Sequence, residues 1–146
     1  MNPEDLKQFA LMAEFSEEER EFLAELLEKR ALLNAKSAFR EGSEGEGLVL
    51  LESGKLKLKS RRTGSVVGML EAPAHLGATS LFALGKREVT ALADGPCTIC
   101  TLSRSSFSRL LDDSPRAAFR LAEAVAGELV ALVREGLDTL VEKDPD

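Results

Sequence analysis

The most informative segment of the chain reads Leu48-Val49-Leu50-Leu51-Glu52-Ser53-Gly54-Lys55-Leu56-Lys57-Leu58-Lys59. It begins with a short apolar run over 48–51, and Glu52-Ser53-Gly54 then marks a tight turn. Lysine and leucine alternate strictly over 55–59, which is typical of a strand with one buried face. The segment therefore predicts two short strands joined by a turn.

The residues around this segment repeat the same pattern of short strands and turns. Nine of the eleven glycines lie between positions 42 and 95, where they separate short runs. Phe39 leads into a glycine-rich turn over 41–47, and a loop is predicted over 72–85. The remaining apolar runs are 66–70, 89–92 and 97–102. Many short strands at regular turn spacing predict a small barrel or jelly roll.

Two helices are predicted before these strands. The first follows Pro3, which suits a first helical turn, and the second begins at Ser16, where Ser16-Glu17-Glu18-Glu19 forms a capping box. Phe15 is placed for a hydrophobic staple on the second helix. Apolar residues recur at helical spacing in both: Leu6, Phe9, Ala10 and Ala13 in the first, and Phe22, Leu23, Leu26 and Leu27 in the second.

Two more helices are predicted after the strands. A short one fits residues 103–111, with Phe107, Leu110 and Leu111 on one side. Ser114 is then an N-cap, and Pro115 takes the first position of a long helix that runs towards position 142. At about 1.5 Å per residue this helix is about 40 Å long, which is more than a domain of this size requires.

The long helix predicts a homodimer. Its apolar residues keep a spacing of three and four, and an apolar stripe that extends beyond the domain should be buried against a second copy. The alternative is that the whole stripe packs on the strands of its own chain. The residues of the predicted dimer helix are Leu121, Val125, Leu129, Leu132, Leu137 and Leu140.

These elements predict one domain over residues 1–146. Its parts are N-terminal helices at 1–33, a β-roll at 34–102 and C-terminal helices at 103–146. The predicted fold class is α+β, mainly β. It is a double-stranded β-helix, or jelly roll, flanked by N-terminal helices and a long C-terminal helix.

The charge follows a similar division of the chain. The net charge is −6 overall, made up of −5 for residues 1–33, +4 for 34–111 and −5 for 112–146. Acidic ends do not favour general DNA binding, which usually requires a strongly basic stripe. The basic middle still leaves room for a local anion site.

The composition excludes several kinds of site and location. The single histidine, His75, and the two cysteines, Cys97 and Cys100, cannot supply a histidine-rich metal centre or complete a structural zinc site. No apolar run reaches the length of a membrane span, so no membrane association is predicted. The N-terminus lacks the pattern of a secretion signal. We therefore predict a cytoplasmic protein with reduced thiols.

No catalytic residue and no metal ligand is predicted. Cys97 and Cys100 have the spacing of a redox motif, but residues three apart on a strand face opposite sides. His75 has no nucleophile elbow or adjoining carboxylate motif, so we expect it on the surface or in a loop. The protein is therefore predicted not to be an enzyme.

The order of the elements resembles the cyclic-nucleotide-binding domain, the sensor module of bacterial catabolite-activator-type regulators, kinase regulatory subunits and gated channels. Two helices, a glycine-punctuated β-roll and a long final helix give this layout over nearly the whole chain. The segments that carry the resemblance are Phe15-Ser16-Glu17-Glu18-Glu19, Phe39-Arg40-Glu41-Gly42, Leu48-Val49-Leu50-Leu51-Glu52-Ser53-Gly54-Lys55-Leu56-Lys57, Ala91-Leu92-Ala93-Asp94 with 97–102, and Ser105-Ser106-Phe107. Catabolite activators continue into a helix-turn-helix, whereas this chain stops at an acidic end over 142–146, so no DNA reading is expected.

The resemblance implies a phosphate cassette at Leu76-Gly77-Ala78-Thr79-Ser80-Leu81-Phe82. In the family, backbone N–H groups of a short helix after Phe-Gly-Glu bind the phosphate oxygens. A following arginine neutralises the cyclic phosphate, and the glutamate accepts a hydrogen bond from the ribose hydroxyl. Here the aromatic residue is Leu76, the glycine is kept as Gly77, and the glutamate is replaced by Ala78.

The spacing places Gly85 at the position of the phosphate arginine and Lys86 at the hydroxyl position, counted back from Ala91. Both defining side chains are then missing. The loss of two charge-assisted contacts, each worth about 1.5–3 kcal/mol, predicts that cAMP and cGMP bind weakly or not at all.

Arg87 offers a compensation, because it lies two residues past Gly85 and so on the same face of the predicted strand. It either reaches a phosphate or fills the cavity inside the roll and pairs with an internal acid. The alternative is a frayed strand start with Lys86 and Arg87 in solvent. The candidate ligand-binding residues are Gly77, Ala78, Thr79, Ser80, Lys86 and Arg87.

Two functional hypotheses follow. The first is a stand-alone, non-catalytic regulatory or scaffolding protein without a cofactor, which has a degenerate cassette and acts through homodimerisation and another protein partner. The second is a small-molecule sensor that binds a cyclic nucleotide or another anion through a non-standard cassette. A basic run offers a further surface, either a solvated strand face that discourages edge pairing or a docking face for an acidic partner or a nucleic-acid backbone: Lys55, Lys57, Lys59, Arg61 and Arg62.

Overall fold

The predicted turn at Ser53-Gly54 carries the chain from one β-sheet to another. The computed structural model describes residues 1–143, and residues 144–146 of the predicted acidic end lie outside the described residues. Gly54 has a φ of +88°, and a Cβ atom there would lie 2.6 Å from the carbonyl oxygen of Pro96. Both the left-handed backbone and this close approach require glycine at the crossing.

The strands form two antiparallel four-stranded sheets. The first sheet has the order β1 (Glu28–Leu32), β8 (Cys97–Ser103), β3 (Gly47–Ser53) and β6 (Ala74–Leu76). The second has the order β2 (Ser37–Phe39), β7 (Thr90–Ala93), β4 (Lys55–Lys59) and β5 (Val66–Glu71). The two sheets face each other as a jelly roll, which confirms the predicted fold class.

Two apolar cores explain why β3 is apolar without alternation. Val49 and Leu51 point between the two sheets, whereas Leu48 and Leu50 point to the other face of the first sheet, where the helices pack. Both faces of β3 are therefore buried. Cys97 lies in the core between the sheets and Cys100 in the core under the helices, so the prediction that the two thiols diverge is confirmed.

Three α-helices cover the first sheet: α1 (Glu17–Leu26), α2 (Arg104–Asp113) and α3 (Pro115–Lys143). The predicted capping box of α1 is present, because Ser16 Oγ accepts the Glu19 N–H at 3.2 Å and Glu19 Oε1 accepts the Ser16 N–H at 3.1 Å. Both predicted C-terminal helices are confirmed. No helix within residues 1–143 is long and apolar enough to cross a membrane.

The N-terminal third differs from the prediction. Its first helix consists of two short 3-10 helices, Pro3–Gln8 and Ala10–Met12, and Ala10 and Ala13 are exposed. The strand β1 lies inside the segment 1–33 that was predicted as helical, so the roll begins before residue 34. Glu28, Lys29 and Arg30 are exposed on this edge strand, and such a strand shows no apolar alternation.

The predicted dimer stripe of α3 is divided in the structure. Leu121 and Val125 are buried in the core under the helices of their own chain, so their assignment to a dimer contact is wrong. The residues after them leave that core as α3 extends beyond the roll. Leu129, Leu132, Leu137 and Leu140 are all exposed by 44% or more.

Candidate functional site

The predicted cassette forms a short helix at the end of β6. Gly77 has a left-handed backbone with a φ of +70°, and the 3-10 helix Ala78–Leu81 follows it. β6 is the edge strand of the first sheet and pairs with β3, with Leu76 opposite Val49. The segment predicted as a loop over 72–85 therefore contains a strand and a helix that hold the cassette against the roll.

Arg87 lies in this cassette and is buried, with 9% of its surface exposed. Its Nη1 donates to Ser80 Oγ at 3.2 Å, and its Nη2 donates to the carbonyl oxygen of Gly47 at 2.8 Å. The guanidinium also stacks on Phe39, with Cζ 4.3 Å from the ring centroid. These contacts fix the cation beside Gly77.

The charge of Arg87 has no direct counter-ion in the described part of the chain. None of the ion pairs within residues 1–143 includes Arg87, and its buried Nε has no hydrogen-bond partner there. Burial lowers the pKa of the Arg87 guanidinium, and the Glu46 carboxylate opposes this shift. Because a buried charge is costly unless it is paired, this arrangement favours an anion beside Arg87.

The spacing that placed Gly85 at the arginine position is corrected by the structure. Gly85 is exposed, and its carbonyl oxygen accepts the Gly45 N–H at 2.9 Å. Ala91 and Ala93 are both buried on the inner face of β7, and the same count from Ala93 ends at Arg87. The arginine that lies beside the cassette glycine is therefore Arg87, and the alternative of Arg87 in solvent is wrong.

The other candidate residues lie in different surroundings. Ser80 contacts Arg87, whereas the side chains of Thr79 and Lys86 are exposed. Lys86 joins the site only through its backbone, which bridges to Glu44. Ala78 is buried against the core under the helices, so no carboxylate stands at this position of the cassette.

A known protein family matches the region that contains the roll and the cassette. The family model of the cyclic nucleotide-binding domain matches residues 30–114, more than half of the chain. The chain belongs to the cyclic nucleotide-binding domain family. This confirms the resemblance on which the cassette residues were assigned.

The curated relatives include regulatory subunits of a protein kinase. The chain is 26% identical over 106 residues to a cAMP-dependent protein kinase regulatory subunit of Yarrowia lipolytica, a match that covers 73% of this chain and 28% of that protein. It thus spans about a quarter of the length of that curated relative.

Solved structures share the fold. The N-terminal domain of a transcriptional regulator from Streptomyces coelicolor matches with a TM-score of 0.79 and 25% identity, over 88% of this chain and 94% of that one. Thermus thermophilus Catabolite Activator Protein matches with a TM-score of 0.76 and 25% identity, over 90% of this chain and 62% of that one.

The glycine-rich turn before β3 contacts the cassette of this cyclic nucleotide-binding domain, which the sequence alone did not predict. Gly47 supplies the carbonyl that accepts from Arg87. Gly45 packs against Ser80, because a Cβ atom on residue 45 would overlap Ser80 Oγ. The clustering of glycines was a usable signal for this close approach. No pattern in the sequence indicated that Arg87 stacks on Phe39.

His75 connects the cassette to the long helix. It lies on β6 and is half-buried, and its Nε2 lies 2.9 Å from Glu128 Oε2 on α3. His75 therefore lies on a strand and not in the predicted loop, and the carboxylate that it contacts comes from 53 residues further along the chain. A small cleft of about 220 Å³ beside this pair is lined by Gly77, Ala78 and Leu129, among others, so α3 closes one side of the cassette.

Proposed function

We propose that this cyclic nucleotide-binding domain is a non-catalytic regulatory sensor that binds a cyclic nucleotide through its phosphate at Arg87. The observation that carries the proposal is the buried Arg87 guanidinium, which lies against Gly77 and Ser80 and has no carboxylate oxygen of residues 1–143 within 4.0 Å. A phosphate oxygen would supply the missing charge and a bidentate set of hydrogen bonds. This favours the sensor over the degenerate scaffold.

The residue at position 78 sets the expected affinity. Ala78 cannot accept a hydrogen bond from a ribose hydroxyl, and a hydrogen bond to a charged group contributes about 1.5–3 kcal/mol. The affinity for cAMP or cGMP should therefore be lower by about tenfold to a hundredfold than in a cassette that carries the glutamate. We expect binding that is weak but retained, because one defining contact is lost and not two.

Titration calorimetry with cAMP and cGMP tests the proposal. Wild-type protein should bind at least one of them, and Arg87→Leu should abolish the binding. Lys86→Leu is the matched control, because it removes the neighbouring cation while the Lys86 side chain is exposed, and it should leave the affinity unchanged. No binding to wild type, or equal loss in both variants, would contradict the proposal.

A second candidate function is dimerisation through α3, and the exposed part of the helix favours it. Val130, Val133, Leu137 and Leu140 follow the three-four-three spacing of a coiled-coil seam, and each is exposed by 48% or more. We propose that this seam pairs with that of a second copy, so that a ligand beside α3 can influence the dimer. Binding of a further protein partner and a cytoplasmic location stay predictions from the sequence.

A further inference from the structure

The second sheet has a basic outer face that the proposed ligand site does not use. Leu56 of β4 is buried between the sheets, so the alternating lysines of β4 point outward. Leu92, Lys57 and Met69 stand side by side across β7, β4 and β5. We call this surface the basic face, and its cations are Lys36, Arg40, Lys55, Lys57, Lys59 and Arg61.

A cleft of about 670 Å³ lies at one side of the basic face. Three cations line it, Lys36, Arg40 and Arg61, against the single carboxylate of Glu41. Glu41 Oε2 accepts the backbone N–H of Arg61 at 2.7 Å, so this carboxylate is already engaged. Within residues 1–143, no carboxylate oxygen lies within 4.0 Å of a side-chain nitrogen of these three cations. The cleft therefore carries positive charge that the described chain does not neutralise.

Protection of a sheet edge does not account for the lysines. β4 lies between β7 and β5 in the second sheet, and charged residues discourage unwanted pairing only on an edge strand. The edge strand β5 carries no lysine over residues 66–71. The basic residues are thus concentrated on a central strand, where Lys57 lies 3.9 Å from Asp94 and Lys55 stands opposite Glu71, so the unpaired positive charge lies mainly in the cleft.

The surroundings of the face favour a polypeptide over a nucleic acid. The cleft includes the apolar Leu92, and on the far side of β4 the β5 residues Met69 and Val67 are exposed by 48% and 55%. Phosphate backbones offer nothing apolar to these side chains, whereas acidic peptides with apolar residues complement both. The net charges of −5 at 1–33 and at 112–146 also oppose the close approach of a long polyanion.

We propose that the basic face docks an acidic segment of a partner polypeptide. Its carboxylates would meet Arg40 and Arg61 in the cleft, and its apolar side chains would contact Leu92 and Met69. This surface lies on the second sheet, so its occupancy is separate from ligand binding at Arg87 and from pairing of α3. The proposal adds a partner site to the sensor.

Fluorescence anisotropy with a short labelled peptide of mixed glutamate and leucine residues tests the proposal. Wild type should bind the peptide, and the double variant Arg40→Glu/Arg61→Glu should weaken binding by about tenfold or more. Arg109→Glu/Arg116→Glu is the matched control, because it makes the same change in net charge at exposed positions of α2 and α3. The control should change the affinity by less than about threefold. Arg40→Gln/Arg61→Gln, which adds no negative charge, should give an intermediate loss.

Four results would overturn the proposal. The first two are that wild type does not bind the peptide, and that the cleft and control variants weaken peptide binding equally. The third is that an oligonucleotide binds through Arg40 and Arg61 more tightly than the peptide does. The fourth is a salt-sensitive self-association of the protein that Arg40→Glu/Arg61→Glu removes. Light scattering of each variant detects the last of these. Circular dichroism verifies that every variant is folded.

Discussion

Gly77 leaves the space that the Arg87 guanidinium fills. A Cβ atom on residue 77 would overlap Arg87 Nη1, and the φ of +70° at Gly77 is one that other residues adopt at a cost. The glycine of the cassette therefore has two roles, since it allows the turn into the short helix and it allows the cation to lie against the backbone. An anion bound at this turn would contact the arginine directly.

Gly77→Ala should weaken cyclic nucleotide binding more than it destabilises the fold. The left-handed backbone costs about 1–2 kcal/mol with alanine, and the methyl group would also push Arg87 out of its place. Gly64→Ala is the matched control, because Gly64 has a φ of +68° and nothing within 4 Å of an added Cβ. Chemical denaturation and calorimetry on both variants separate the two effects. Equal ligand affinities in the two variants would contradict the role assigned to Gly77.

The contact between His75 and Glu128 should couple the cassette to α3. A double-mutant cycle of His75→Ala and Glu128→Ala should give a coupling energy of about 0.5–1.5 kcal/mol, as expected for a half-buried hydrogen bond. The measurement is the free energy of unfolding of the four proteins. A second cycle with Glu135→Ala, two turns further along α3 and exposed, should give no coupling. Equal coupling energies in both cycles would show that the coupling does not arise from the 2.9 Å contact between His75 and Glu128.

Val133→Glu should prevent association through α3. A carboxylate in the middle of the exposed seam cannot be buried against a second copy without a large desolvation cost. Ala131→Glu is the matched control, because residue 131 lies on the polar side of the same helix and is also exposed. Sedimentation velocity at tens of micromolar should show a dimer for wild type and Ala131→Glu and a monomer for Val133→Glu. A monomeric wild type would contradict the dimer.

The stability of the protein should fall at high pH because of Cys100. Burial raises the pKa of the Cys100 thiol to about 11, with Glu52 adding to the shift. In the unfolded chain the pKa of the thiol is near its ordinary value of 9.0, so between these two pKa values the unfolded state gives up its proton first. The contribution of the protonated Cys100 thiol to the free energy of unfolding is therefore complete below about pH 9. It is lost as the pH rises towards about 11.

Cys100→Ala isolates this effect, since Cys97 and all other titrating groups are common to both proteins. The difference in free energy of unfolding between wild type and variant should shrink as the pH rises, measured by guanidinium denaturation at a series of pH values. Parallel pH profiles would show that Cys100 does not titrate differently in the two states.

The pattern of apolar residues was sufficient to predict most of the fold, but it did not predict the two edge strands of the first sheet. β3 and β4 were predictable because Leu48–Leu51 and the Lys-Leu alternation are local patterns with a direct physical cause. β1 and β6 were not, because an exposed charged edge strand and a strand of three residues carry no periodic signal. Their pairing depends on backbone partners far along the chain.

The site shows the same division between local and distant information. The cassette pattern predicts Gly77 and Ser80, whereas the spacing points to Gly85, two residues before the arginine that lies beside them. Alternation in a strand repeats every two residues, so Ala91 and Ala93 are equivalent in the sequence, and only the position of Arg87 against Gly77 distinguishes them. Gly47, which accepts from Arg87, lies 40 residues before it, and Glu128 lies 53 residues after its partner His75, so no local pattern connects either pair.

Thermal unfolding of wild type and Arg87→Leu, with and without cAMP or cGMP, tests the central claim most directly. At a ligand concentration about a hundred times Kd, binding to the folded state adds about 2.7 kcal/mol of stability. The unfolding midpoint of wild type should therefore rise with at least one of the two nucleotides, while that of Arg87→Leu should not move. A wild-type midpoint that neither nucleotide shifts, or an equal shift in both proteins, would contradict a phosphate site at Arg87.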